Sequence, residues 1–148
     1  MLNQEGNALK ELSIDATIEN IAPVTDFVNG ELAALNCPPK VQRQIDVAID
    51  ELFGNIAQYA YDPDVGPATV RVEVMEEPLA VVITFIDHGM PYDPLSQEAP
   101  DIHAPLEARQ AGGLGIFLVR KTMDDVTYEY KNGQNILKIK KRLAGGGI

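Results

Sequence analysis

A length of 148 residues is that of one domain with room for a sizeable core, and 45% hydrophobic against 23% charged residues excludes a disordered chain. The formal net charge of −10 argues against direct nucleic-acid binding, which relies on cations that neutralise phosphates, and favours a partner with a basic surface. One nucleotide needs only local donors and stays open. The lone Cys37 leaves no internal disulfide. No apolar run reaches membrane-span length and Met1–Lys10 has no signal-peptide core, so a cytoplasmic protein without membrane association is expected.

Leu9–Ile14 alternates apolar and polar residues, as a short half-buried strand does. Thr17 is placed to cap a helix over Ile18–Leu35, with Glu19 in its first turn. A second helix spans Val41–Tyr61, where Val41, Ile45, Ala48, Ile49, Leu52, Phe53, Ile56 and Ala60 form one stripe at helical spacing. Pro38 and Pro39 precede it and Asp62-Pro63 closes it. The period then changes to two. Val70, Val72 and Val74 alternate with Arg71 and Glu73, and after Glu76-Glu77-Pro78 the run Leu79–Ile86 is apolar on both faces, which predicts a central strand.

Met90–Gly112 contains four prolines among acidic and small residues and reads as a long loop of the lid or binding kind. Gly112-Gly113-Leu114-Gly115 opens a helix with Ile116, Val119 and Met123, and two strands, Val126–Tyr130 and Gln134–Lys140, flank an Asn132-Gly133 turn. Strands joined by hairpins with helices grouped apart predict an α+β fold, a two-layer sandwich with a mostly antiparallel sheet covered on one face by about three helices. Residues 1–143 read as a single domain and 144–148 as a flexible tail.

Three stretches carry chemistry. Glu51 and Asn55 are four apart on one helix face, a possible proton acceptor beside a neutral oxygen ligand, which suits a magnesium–phosphate site. The same pair also suits the solvated edge of an amphipathic helix. Asp87 follows Val81, Ile83 and Phe85 in strand phase. It reads either as an acceptor at the rim of an apolar pocket, with Gly89 allowing close approach, or as a turn residue ending a strand. The glycines at 112, 113 and 115 precede a helix, where free N–H groups and the dipole favour an anion; a loop-to-helix hinge is the other reading. Leu118 stands where a dinucleotide fingerprint needs its third glycine, and no Walker sequence is present.

Taken together and in order, these stretches resemble one family. Glu51-Leu52-Phe53-Gly54-Asn55 with Tyr59-Ala60-Tyr61 is similar to the N box of the gyrase/Hsp90/histidine-kinase/MutL ATPase superfamily. Asp87-His88-Gly89-Met90-Pro91-Tyr92-Asp93-Pro94 is similar to its first glycine box and Gly112–Arg120 to its second. Pro91, where the superfamily often has glycine, and the Tyr-Asp-Pro that follows resemble one branch, the anti-sigma-factor serine/threonine kinases. The resemblance implies a Bergerat-type ATP-binding fold. Asn55 would ligate Mg²⁺, Glu51 would act as the catalytic base, and Asp87 would hold the adenine amino group with Gly89 beside it. Gly113, Leu114 and Gly115 would lie at the phosphates, and Arg109 in the lid would reach the terminal ones. A small anti-sigma-antagonist protein as phosphorylation substrate, a sigma factor as further partner and a homodimer are implied too. The alternative is a nucleotide-gated partner-binding module of this fold without kinase turnover. A scaffold that binds no nucleotide is a second rival, against which the intact Glu51, Asn55 and Asp87 count.

Overall fold

The computed structural model describes residues 2, 3, 6, 8–96 and 113–143. Five strands form one sheet: β1 (Leu9–Asp15), β2 (Pro67–Met75), β3 (Ala80–Asp87), β4 (Asp125–Lys131) and β5 (Gln134–Arg142). Their order is β1-β2-β3-β5-β4 and every pairing is antiparallel. The helices are α1 (Ile21–Ala34), α2 (Pro39–Asn55) and α3 (Gly113–Thr122). The α+β fold expected from the sequence is the one observed, with β3, apolar on both faces, in the middle.

Alternation along the strands decides which face the helices cover. The register aligns Leu12, Val70, Phe85, Leu137 and Tyr128 in one row across the sheet, and Val72, Ile83, Ile139 and Val126 in the next. These rows join the core formed with Val24, Val28 and Leu32 of α1, Ile45, Ile49, Leu52 and Phe53 of α2, and Ile116 and Val119 of α3. The opposite face carries polar pairs, among them Arg71–Glu11 at 2.8 Å and Ser13–Thr69 at 3.0 Å.

Local rules set the ends of the elements. Helix α1 stops in a Schellman arrangement: Asn36, at φ 55, and Cys37 donate their N–H groups to the carbonyls of Ala33 and Leu32. Asn132 and Gly133, at φ 55 and 77, make the β4–β5 turn, as the sequence predicts. Two expectations shift. Thr17 makes no capping bond; a 3₁₀ turn, Ile18–Asn20, comes first, and Asn20 donates from Nδ2 to the Asp15 carbonyl at 2.8 Å. The helix predicted over Val41–Tyr61 begins earlier, at Pro39, and after Asn55 widens into a π turn over Ile56–Ala60. Such turns recur at functional sites because the extra residue re-aims the side chains that follow.

The packing makes α2 intolerant on one side only. Phe53→Ala, at a position fully removed from solvent, is expected to cost about 3–5 kcal/mol. Val47→Ala, on the 47% exposed side, should stay within about 0.5 kcal/mol of the parent. Urea unfolding of both variants checks the contrast.

Candidate active site

The last turns of α2, the end of β3 and the start of β5 meet around a cavity. Its walls include Leu52, Ile56, Phe85 and Leu137, with Asn55, Asp87 and Asn135 as polar members. A few polar groups in an otherwise apolar recess are the usual composition of a small-molecule site.

Glu51 and Asn55 lie one turn apart on α2, and Asn55 Nδ2 donates to Glu51 Oε1 at 3.4 Å. That bond uses the Asn55 nitrogen, not the oxygen, which is the atom able to ligate a cation. Burial pushes the Glu51 pKa above the ordinary glutamate value; the Asn55 hydrogen bond partly offsets this, and the charge of neighbouring Asp50 adds to it. Glu51 also lies against α3. A Cβ on Gly115 would stand 2.2 Å from Glu51 Oε2, so any larger residue there would push the carboxylate away from the first turn of that helix, at the positive end of its dipole.

Asp87 ends β3 with 4% of its surface exposed. Its Oδ1 accepts the Gly89 N–H at 2.9 Å and Asn135 Nδ2 at 2.9 Å. Gly89 is packed against the end of the π turn, where a Cβ would lie 2.2 Å from the Ala60 carbonyl oxygen. The same carbonyl, left without an intrahelical partner, accepts the Met90 N–H at 3.0 Å. Tyr61 adds a second tie: its hydroxyl donates to the Pro67 carbonyl at 2.6 Å and accepts the His88 N–H at 2.8 Å. At the mouth, the rings of Tyr59 and Tyr92 sit 6.1 Å apart.

The structure thus brings Glu51, Asn55, Asp87, Gly89 and Gly115 to one place. Gly113 and Leu114 are the first two residues of α3. Arg109, the expected partner of the terminal phosphates, lies outside the described residues, as do most of the Met90–Gly112 lid and the tail at 144–148. Among the described residues no group of three His, Cys, Asp or Glu side chains could hold a metal ion. Asn135 escaped the sequence reading. It is 6% exposed and bonds to Asp87, Met90 and Tyr92. The available signal was an amide in strand phase with the core residues Leu137 and Ile139.

Residues 14–141 match the model of the histidine kinase-like ATPase domain. The chain belongs to that family. Among its relatives in the family are the serine-protein kinases RsbW of Bacillus cereus (strain G9842) and Bacillus mycoides (strain KBAB4). Each is 28% identical over 134 residues, with 88% of this chain and 82% of the relative covered. A crystal structure of the RsbU and RsbW domains of a Mycobacterium tuberculosis protein has the same fold, with a TM-score of 0.66 at 18% identity. The likeness covers 92% of this chain, which spans 32% of that one.

Two glycines of this ATPase-family domain separate close packing from propensity. Gly89→Ala forces the Ala60 backbone to move and is expected to lower the melting temperature. Gly30→Ala, in the body of α1 with nothing within 4 Å of the added carbon, should raise stability by about 0.5–1 kcal/mol. Thermal unfolding of the pair checks both signs.

Proposed function

We propose that the chain is an ATP-binding anti-sigma regulatory factor with serine/threonine protein kinase activity towards a small anti-sigma-antagonist protein. The observation that carries the reading is Glu51, whose pKa burial raises, set beside Asn55 at the edge of a cavity that Asp87 also lines. The Bacillus relatives named as serine-protein kinases support the reaction class.

The residues fit the groups that this reaction needs. Asp87 offers a buried acceptor to the exocyclic amino group of adenine, and the apolar walls take the ring. Asn55 presents an amide oxygen to Mg²⁺, which when bound supplies charge neutralisation across the phosphates. Glu51 accepts or orients the proton of the attacking serine or threonine hydroxyl. A pKa lifted by burial brings its basicity closer to that task. Gly113, Leu114 and Gly115 place the N-terminus of α3 at the phosphates, where its free N–H groups favour negative charge. We assign the protein to the cytoplasm as a homodimer whose further partner is a sigma factor.

Calorimetric titration with ATP, in Mg²⁺ and in chelator, tests the site: binding should depend on Mg²⁺ and weaken in Asn55→Ala. Failure of the folded, nucleotide-free protein to bind in any condition would sink the proposal. Glu51→Gln separates a kinase from a nucleotide-gated module. Phosphotransfer should fall about 10²–10⁴-fold while ATP binding persists; unchanged partner regulation without any transfer in the parent would favour the module.

The raised pKa of Glu51 fixes two signs. The reactive form is the carboxylate, so transfer should decline as pH falls through that pKa, starting nearer neutrality than for an ordinary glutamate; a pH–rate profile reads this. The folded chain holds the Glu51 proton more tightly than the unfolded chain does. Its contribution to stability is therefore complete below the ordinary glutamate pKa and lost as pH rises through the folded value. Glu51→Gln, which never ionises, should match or exceed the parent's stability at neutral pH in denaturant unfolding.

A further inference from the structure

The hydrogen-bond inventory around Asp87 is nearly closed. Oδ1 of Asp87 has two lone pairs, and Gly89 N and Asn135 Nδ2 fill them. Oδ1 of Asn135 accepts Tyr92 N at 3.1 Å and the Tyr128 hydroxyl. The Met90 carbonyl accepts Asn135 Nδ2 at 2.9 Å, with the Gly89 carbonyl a longer contact at 3.4 Å. The amide orientation is forced. Reversed, its NH₂ would face the Tyr92 N–H and its oxygen would face the Asp87 carboxylate. Among the described residues, both hydrogen bonds to the Asp87 carboxylate fall on Oδ1, and none on Oδ2.

We infer that Asn135 is the specificity-setting positioning residue of this cavity: by saturating one oxygen of Asp87 and gripping the Gly89–Tyr92 turn, it leaves the other carboxylate oxygen as the acceptor for an exocyclic amino group. One residue then does two things. It fixes the rotation of the carboxylate, and its own amide oxygen, filled by Tyr92 N and the Tyr128 hydroxyl, does not compete for a ligand N–H. Tyr128, on the edge strand β4, holds the amide from the far side, so β4 takes part in base selection without touching the base. Because Tyr92 N hangs on the same amide, the ring that meets Tyr59 at the cavity mouth is placed by it as well.

The inference rests on the ATP-binding reading, and the test separates the two. Calorimetry with ATP and with inosine triphosphate, which carries a carbonyl in place of the 6-amino group, gives a selectivity ratio for each variant. The parent ratio is expected to be on the order of 100-fold in favour of ATP, since a carbonyl facing a carboxylate leaves both acceptors unpaired. In Asn135→Ala the freed carboxylate can turn, and the ratio should fall to within about threefold of unity. Tyr128→Phe keeps the ring, removes one bond to the amide and should lower the ratio by a smaller factor; it stands in if Asn135→Ala does not fold. A merely structural role would weaken both nucleotides together and leave the ratio as it was, which overturns the inference. A parent that binds neither nucleotide overturns the ATP-binding reading itself, and this inference with it.

Discussion

A carboxylate buried at the end of the central strand sets conditions for everything near it. Asp87 is 4% exposed, and a charge so placed is tolerated only when hydrogen bonds replace the lost water. Meeting that condition takes an amide from β5 and a backbone N–H from the turn that leaves β3. The turn in turn needs Gly89, because it passes against the carbonyl at the end of the π turn. Polar satisfaction at one atom therefore aligns β3, β5 and the helix that carries Glu51 and Asn55. The core rows beneath, Phe85 with Leu137 and Ile83 with Ile139, hold the two strands in the register that makes the Asp87–Asn135 bond possible.

Much of this was legible in the sequence where a residue's role is local. The stripe on α2, the period-two strands and the Asn132-Gly133 turn each depend on near neighbours in the chain, and each appears where the pattern puts it. Glu51 and Asn55 were legible because helical spacing alone fixes their shared face. What the sequence withheld depends on tertiary placement. The π turn after Asn55 has no distinctive composition. Asn135 meets Asp87 only because β5 pairs with β3, and one strand's alternation does not say which strand lies beside it. The contact between Glu51 and Gly115 joins residues 64 positions apart, which no periodicity can reveal.

Helix α2 carries opposing demands on a single element. Its apolar stripe supplies much of the core, and its last turn holds a glutamate partly withdrawn from water. Desolvation that makes Glu51 more basic also makes its ionised form less compatible with the fold. The neighbouring stripe residues Leu52 and Phe53 are 3% and 0% exposed. Their burial is favourable and offsets that penalty on the same helix turn.

The bond from the Met90 N–H to the Ala60 carbonyl joins the two halves of the site main chain to main chain. No side-chain exchange at either residue deletes it, proline at position 90 excepted, provided position 89 has no Cβ. Sequence drift can therefore renew the cavity walls widely while the frame stays fixed. A fold fastened this way lends itself to re-engineering: residues at the mouth such as Tyr59 or Tyr92 can be pared down to admit enlarged bases without touching the core rows that hold the strands in register.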